Sequence, residues 1–238
     1  MTILSSINQN DIKSIIDEGK EPKWLSEIRE NAFSKYLSLP SEVSPLYKKY
    51  SDVNRLKPEH IYLPDRTIKS EPYGDLRVRL NELEQGISVV QIGSAINRIS
   101  VPDEFSRQGI IVSDLREAIL THENLIKKQL AINQLNYDED KFLALEASAF
   151  RSGLFVYIPK NVILEDPIRI VNSLADDGTS SITRNIIISD TGSKATVVQE
   201  IYAPSEANGR KDVQQAYFEL VECHVNPTAH LEMVTLKQ

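Results

Sequence analysis

Apolar residues near the start of the chain recur every three or four positions, which is the spacing of an amphipathic helix. The pattern predicts a helix over residues 22–39 that begins at a proline and stops before Pro40, because proline fits a first turn but cannot continue a helix. A shorter helix before it is predicted to be capped by Asp11 and to end at Gly19. The chain therefore starts with a small helical unit.

The middle of the chain has a mixed pattern. Prolines and scattered tyrosines over residues 40–72 predict an extended connection. Farther on, β-branched runs predict short strands, and helical spacing returns after Asp114, which is placed to cap a helix. The predicted elements are strands over residues 87–93 and 109–112 and helices over residues 115–130 and 141–150.

After Gly153 the chain consists of β-rich runs separated by Asp, Gly, Asn and Pro turns, with no helical spacing between them. Residues 185–202 resemble residues 219–236 at an offset of 34, and each copy is a strand, a tight turn, an alanine and a strand. Self-similarity of this kind predicts a solenoid or β-helix, in which each coil buries its apolar face against the next.

The last predicted strand has a two-residue alternation. Ala229, Leu231 and Met233 are apolar, and His230 and Glu232 lie between them. Because side chains point alternately to the two faces of a strand, the apolar set is predicted to face a core and the polar set to face solvent.

These patterns predict an α+β protein with a helical N-terminal domain followed by stacked strands. The predicted regions are a helical region and linker over residues 1–60, a mixed α/β region over 61–152 and the first coils of a β-helix over 153–238. A stack of strands ends in an edge that invites further pairing. Because the sequence stops at Gln238 directly after a strand, we expect either a longer protein truncated within the β-helix or a last strand that pairs with a partner.

Composition narrows the function classes. Of the 238 residues, 41% are hydrophobic, which is enough to bury a core, and the net charge of −7 offers no positive field to attract nucleic acid. No apolar stretch approaches the roughly 20 residues that span a bilayer, and the N-terminus lacks a signal-peptide pattern. We therefore expect a cytoplasmic protein with neither nucleic acid nor membrane as a partner.

Cys223 is the one cysteine and the candidate metal or sulfur ligand, since His224 and His230 lie near it in the sequence. Their spacing matches no known metal signature, and a lone cysteine in an apolar strand is usually a small buried hydrophobe. His60 and His122 lack neighbours at metal-ligand spacing and are expected to be surface residues. The metal ligands are therefore unknown, with Cys223 as a candidate and a structural role favoured.

Signatures of catalysis do not appear. The glycines are dispersed and form no phosphate-binding loop, so the chain is not expected to hydrolyse ATP, and no Gly-x-Ser-x-Gly occurs. The acidic run over residues 136–140 lacks the glycine and distal glutamate of a calcium loop and is expected to be a solvated turn. We assign no catalytic residue.

Four segments, EPKWLSEIRENAFSKYLSLP, SPLYKKYSDV, GLFVYIPKNVILEDPIRIV and RNIIISDTGSKATVVQEIY, carry a family resemblance. They resemble segments of the SufB/SufD proteins of the Suf iron–sulfur cluster assembly system. EPKWLSEIRENAFSKYLSLP is similar to the N-terminal helix of the family, and SPLYKKYSDV follows it and favours the SufD-like side. GLFVYIPKNVILEDPIRIV and RNIIISDTGSKATVVQEIY are similar to the opening coils of its β-helix. These segments are residues 21–40, 44–53, 153–171 and 184–202.

The resemblance implies a right-handed parallel β-helix preceded by a helical domain. It also implies a scaffold subunit that pairs with a sister SufB or SufD subunit, as a hetero- or homodimer, and that binds the SufC-type ATPase through a C-terminal segment missing here. No cofactor is expected on this chain alone, and an iron–sulfur cluster is possible in the assembled complex. The family's cluster-handling residues are expected in later coils, so none is transferred.

Two other functions are compatible with stacked strands. A β-helix carbohydrate-active enzyme would need clustered carboxylates along one face of the coils, and these are sparse after Gly153. A purely structural interaction module would need neither catalytic nor metal-binding residues.

Overall fold

The computed structural model describes residues 1–40, 55–81, 83, 86–131, 136–203 and 213–237, and every element named here lies within these ranges. The helices are α1 Gln9–Gly19, α2 Lys23–Ser38, α3 Gly74–Asn81, α4 Asp103–Arg107, α5 Leu115–Thr121, α6 Glu123–Ala131 and α7 Lys141–Ala149. The strands are β1 Thr2–Ile3, β2 Tyr62–Leu63, β3 Ser88–Ile92, β4 Ala95–Ser100, β5 Ile111–Asp114, β6 Leu154–Ile158, β7 Ile168–Ser173, β8 Ser181–Ser189, β9 Lys194–Tyr202, β10 Tyr217–Val225 and β11 His230–Lys237.

The first helix forms where the spacing predicts it but has a different cap. Asn8 caps α1 by accepting a hydrogen bond from the Asn10 amide, and the Asp11 carboxylate accepts one from the Asn8 amide. The predicted cap at Asp11 is therefore wrong by three residues, because Asn8 is the N-cap and Asp11 is the N3 residue of the capping box. The helix ends at Gly19, as predicted, where Lys20 adopts a left-handed conformation.

The second helix agrees with its prediction. α2 follows Pro22 and ends before Pro40, with Leu39 in extended conformation. Part of the predicted connection over residues 40–72, including the SPLYKKYSDV segment over 44–53, lies outside the described residues. In the described part, β2 pairs antiparallel with β1, which fastens the connection to the start of the chain.

The predicted helix over residues 115–130 is two helices. Asp114 caps α5 as predicted, by accepting a hydrogen bond from the Arg116 amide. At His122 the backbone leaves the helical region, and α6 begins at the next residue. The predicted helix over 141–150 is confirmed as α7, and Asp140 caps it.

Strands β6 to β11 alternate between two sheets. The order is β10-β8-β6-β5 in the four-stranded sheet and β11-β9-β7-β3-β4 in the five-stranded sheet. Each of β8 to β11 pairs in parallel with the strand two before it in the chain. Each pass of the chain thus adds one strand to each sheet, as in a stack of coils. The right-handed sense of the coils and the three predicted regions stay predictions.

The last two coils match at a spacing of 36 residues: Tyr217 lies opposite Ser181, and His230 lies opposite Lys194. The predicted offset of 34 is wrong, because a shift of two residues keeps every side chain on its face and leaves the apolar pattern unchanged. The predicted apolar and polar faces of β11 are therefore correct although the offset is wrong. Leu231 and Met233 pack between the sheets, whereas the alternating polar residues are exposed.

One corner of the stack is built from three equivalent turns. The third residue after β6, β8 and β10 is Asn161, Gly192 and Thr228, and these residues have φ of +62°, +71° and +62°. Backbone hydrogen bonds join the turns, since the Gly192 amide donates to the Pro227 carbonyl. Left-handed residues at matching positions keep the coils superimposed.

The two ends of the stack differ. At the first end, β4 and β5 run antiparallel to their neighbours, and Phe105 of α4 packs against the apolar residues between the sheets. At the other end, β10 and β11 each have one strand neighbour among the described residues.

Three apolar clusters hold these layers together. The largest joins the N-terminal helices, α5, α6 and α7 to one face of the four-stranded sheet, around residues such as Phe33, Leu115 and Ile186. The second fills the space between the sheets, and the third seats Leu76 of α3 on the outer face of the five-stranded sheet beside Val171.

Candidate functional site

A cleft lies beside the strands β10 and β11. Its volume is about 670 Å³. Its lining includes Gln199, Tyr217, Glu219, Met233, Thr235 and Lys237. The cleft therefore combines apolar side chains with one acidic and one basic group.

Glu219 is the centre of a hydrogen-bond network at this cleft. Its Oε1 accepts hydrogen bonds from Gln199 Nε2 at 2.5 Å, Asn185 Nδ2 at 2.8 Å and the Tyr217 hydroxyl at 3.0 Å. Asn172 Nδ2 lies 3.5 Å away. The donors come from β7, β8, β9 and β10, so one carboxyl group joins both sheets.

The strand alternation explains why these polar residues lie inside. Glu219 and Val221 are two positions apart in β10, and Val221 packs in the cluster between the sheets. Asn185 of β8 and Asn172 of β7 are buried on the same interior. This network was not predicted from the sequence, because polar residues in a strand ordinarily indicate the solvent face. The available sequence signal was the spacing of two residues between Glu219 and Val221, which places both side chains on the same face of the strand.

Burial shapes the acid–base properties of the network. Burial raises the pKa of Glu219, against the opposing effects of hydrogen bonds from Tyr217, Gln199 and Asn185 and the charge of Lys237. Burial, together with the charge of Glu219, raises the pKa of Tyr217 well above 10. Tyr217 is therefore a hydrogen-bond donor at neutral pH.

Cys223, the predicted candidate ligand, lies in β10 opposite Ile187 of β8. It is exposed, so the expectation of a small buried hydrophobe is wrong. The reason is its place in β10, which has β8 as its one strand neighbour among the described residues. Protein atoms on one side of Cys223 remove part of its hydration, and this desolvation raises the pKa of the thiol. The thiol is therefore a weak nucleophile at neutral pH.

The histidines do not assemble with Cys223. His224 is adjacent in β10 and therefore points to the other face; it is buried, and its Nε2 lies 3.7 Å from Glu222 Oε2. His230 is exposed, as predicted. Within the described ranges no group of three or more His, Cys, Asp or Glu side chains has metal-binding geometry.

The two remaining histidines were expected to be surface residues, and both are partly exposed. His60 is partly exposed and lies 3.9 Å from a carboxylate oxygen of Glu59. His122 is half-buried, because the break between α5 and α6 lets its ring stack on Phe155 at a centroid distance of 6.0 Å. His122 thus stays partly exposed while its ring packs against the sheet.

A buried ionic cluster joins the helices to the four-stranded sheet. Arg29 of α2 forms a bidentate ion pair with Glu21, with both contacts at 2.6 Å, and donates to the Ser148 carbonyl of α7. Arg184 of β8 forms a second bidentate pair, with Glu146 of α7. These pairs were not predicted from the sequence, although Glu21, Arg29 and Arg184 lie in the segments 21–40 and 184–202 that carry the family resemblance.

Residues 9–170 match the protein family described as SufBD protein N-terminal region. The chain is 26% identical over 202 residues to the iron–sulfur cluster assembly protein SufD of Bacillus subtilis, covering 82% of this chain and 45% of that protein. It is 26% identical over 251 residues to a chloroplastic iron–sulfur cluster assembly SufBD family protein of Arabidopsis thaliana, covering 99% of this chain and 44% of that protein.

A SufBD family protein of Staphylococcus haemolyticus is 25% identical over 243 residues, covering 97% of this chain and 50% of that protein. The chain thus spans about half the length of the curated relatives that it matches. Among the described residues, no helix combines the length and apolarity needed to cross a membrane.

Proposed function

Because this chain belongs to the SufB/SufD family, we propose that it is a scaffold subunit of the Suf iron–sulfur cluster assembly system. In this role it holds partners in place and catalyses no reaction of its own. The observation that carries the proposal is the family match, which runs from α1 into β7 and so includes both the helices and the start of the strand stack.

The proposed architecture is a helical N-terminal domain followed by a right-handed parallel β-helix. The alternation of β6 to β11 between two sheets, with parallel pairing between coils, supports it. A stack of this kind is stiff along its length, because each coil packs only on its neighbours and extends the same two sheets. Stiffness suits a subunit whose task is to hold other proteins at fixed positions.

The proposed partners are a sister SufB or SufD subunit, contacted through the β-helix, and a SufC-type ATPase, contacted through a C-terminal segment. The lengths of the relatives support such a segment, since this chain spans 45%, 44% and 50% of three of them. The iron–sulfur cluster is the cargo of the assembled complex in this proposal, and this chain alone holds none.

Co-expression tests the proposal. A chain extended to the length of the relatives is produced with a sister subunit and a SufC-type ATPase, purified through a tag on the extended chain, and its mass is measured by light scattering. We expect both partners to be retained and the complex to pass a cluster to an acceptor apoprotein. The control is residues 1–238 under the same tag, which should lose the ATPase.

Two outcomes would contradict the proposal. The first is an extended chain that folds and retains neither partner, as a structural module with other partners would. The second is cleavage of a polysaccharide by the purified chain, as a β-helix carbohydrate-active enzyme would show.

A further inference from the structure

Four buried polar side chains lie together between α7 and the four-stranded sheet. Arg184 of β8 forms its bidentate pair with Glu146 of α7, and its Nε also lies 3.6 Å from Oε1 of Glu222 in β10. His224 is on the same face of β10, with its Nε2 3.7 Å from Oε2 of Glu222. The four side chains are 5–10% exposed, so they are almost completely removed from water. We call these four residues the Arg184 cluster.

The Arg184 cluster contains more negative than positive charge. Two carboxylates and one guanidinium give it a net charge of −1 when its histidine is neutral. Arg29 of α2 does not compensate for this charge, because it forms its own bidentate pair with Glu21. On the same side of the sheet β6 contributes Tyr157, whose hydroxyl is neutral and donates to Asp190. One buried negative charge therefore lacks a cationic partner, which is costly.

His224 offers a position for an additional proton. Its Nε2 is buried and has no hydrogen-bond partner among the described residues. An Nε2 without a proton would turn its lone pair toward the Glu222 carboxylate, whereas an N–H group would donate toward it. Burial raises the pKa of Glu146, and the charge of Glu222 adds to this rise, although the charge and hydrogen bonds of Arg184 oppose it. Both features favour a cluster that holds one more proton.

We propose that the Arg184 cluster is a buried binding site for one proton, which fastens α7 to the four-stranded sheet. The proton makes the cluster neutral. It belongs jointly to the His224 imidazole and the carboxyl groups of Glu146 and Glu222, because closely interacting groups titrate as a unit. On Nε2 of His224 it converts the contact with Glu222 into an ion pair. When it leaves to water, one uncompensated charge remains buried.

The direction of the pH effect follows from linkage. Burial raises the pKa of Glu146 in the folded protein, whereas unfolding returns the carboxyl group to water and to its ordinary pKa. The folded cluster therefore binds the proton more tightly than the unfolded chain does. The stability that the proton contributes is complete below the unfolded pKa and is lost as the pH rises through the folded pKa of the cluster. Rising pH thus loosens the contact between α7 and the sheet.

Nuclear magnetic resonance of the whole chain tests the proton directly. The carboxyl ¹³C shifts report whether Glu146 and Glu222 are ionised, and the ring ¹⁵N shifts report whether His224 is neutral. At neutral pH we expect these three groups together to hold one proton more than two carboxylates and a neutral imidazole would. If both carboxyl groups are ionised while the ring is neutral, the proposal is wrong.

A charge-removing variant tests the link to stability. Glu222→Gln keeps the size of the side chain and removes the excess charge, so the variant needs no additional proton. The unfolding equilibrium constant of the parent chain, divided by that of the variant, should rise by up to about tenfold per pH unit within the titration window. Urea unfolding at a series of pH values measures this ratio.

The control is Glu232→Gln, at an exposed glutamate of β11, for which the same ratio should not change with pH in that window. A ratio for Glu222→Gln that stays constant with pH overturns the proposal. If Glu222→Gln does not fold, the proton count from nuclear magnetic resonance of the parent chain decides.

Discussion

The guanidinium carbon of Arg29 lies 3.8 Å from the centre of the Phe150 ring. The Arg184 guanidinium lies 5.2 Å from the same centre, so one aromatic ring contacts an arginine from α2 and an arginine from β8. Both distances are within the range of cation–π attraction. Phe150 follows α7 directly, and the helical unit and the strand stack therefore meet at a shared, fully buried ring.

We predict that Arg29→Met destabilises the protein by about 3–5 kcal/mol, because it leaves the carboxylate of Glu21 buried without its partner. The side chains of Arg29 and Glu21 are 1% and 4% exposed, so solvent cannot compensate. Urea unfolding measures the loss. The matched double variant Arg29→Met with Glu21→Gln should recover part of it, and a double variant no more stable than Arg29→Met would contradict the ion-pair explanation.

Gly153→Ala should prevent the first coil from closing. A Cβ at this position would lie 1.7 Å from the Arg184 carbonyl oxygen, which is backbone and cannot move without breaking the β6–β8 pairing. We expect a loss of about 3 kcal/mol or more, or a chain that does not fold. Thermal unfolding monitored by circular dichroism checks this.

Gly86→Ala is the control for that substitution. Gly86 has φ of +79° and nothing within 4 Å of an added Cβ, so only backbone strain of about 1 kcal/mol is expected. Equal losses for the two variants would contradict the contact with Arg184 as the reason for glycine at position 153.

Thr228→Gly should stabilise the last corner turn by about 1 kcal/mol. Thr228 is β-branched and has φ of +62°, whereas the equivalent position one coil earlier is Gly192. Glycine removes the strain of the left-handed conformation. Glycine also raises the conformational entropy of the unfolded chain, and this offsets part of the gain in stability. The unfolding midpoint in urea should rise. Thr191→Gly, in the preceding turn at an ordinary φ, should lower it, and a lower midpoint for Thr228→Gly would contradict the strain argument.

Cys223 should react as one accessible thiol in the folded protein. Because the thiol is exposed but its pKa is raised by burial on one side, alkylation should go to completion more slowly than in a free cysteine peptide and should accelerate as pH rises. Mass spectrometry counts the added group, with the unfolded chain as the control for intrinsic reactivity. Protection of the thiol until unfolding would show that it is covered in solution.

The local elements with strong signals could be predicted from the sequence. α2 and α7 have both helical spacing and end signals, and β8 and β10 are rich in apolar and β-branched residues between turns, so their existence follows from short-range chemistry. α3 and α4 were missed, because the apolar residues of α3 recur every second position instead of at helical spacing and α4 is a short helix between two strands.

The helix break at His122 was also missed. Helical spacing continues across residues 115–130, so the periodicity gives no reason for two helices. The break follows from packing, since it allows the His122 ring to stack on Phe155 of the sheet. A local pattern cannot report a contact with a residue more than 30 positions away.

The sequence by itself determined the helices α1, α2 and α7, the strands β6 to β11 and the apolar face of β11, because these depend on neighbours along the chain. Tertiary structure alone decided the 36-residue register of the coils, the exposure of Cys223 and the burial of Glu219. A shift of two residues preserves every apolar face, so only hydrogen bonding between strands distinguishes one register from another. Whether a side chain in a strand is buried or exposed depends in turn on whether another coil lies beside it.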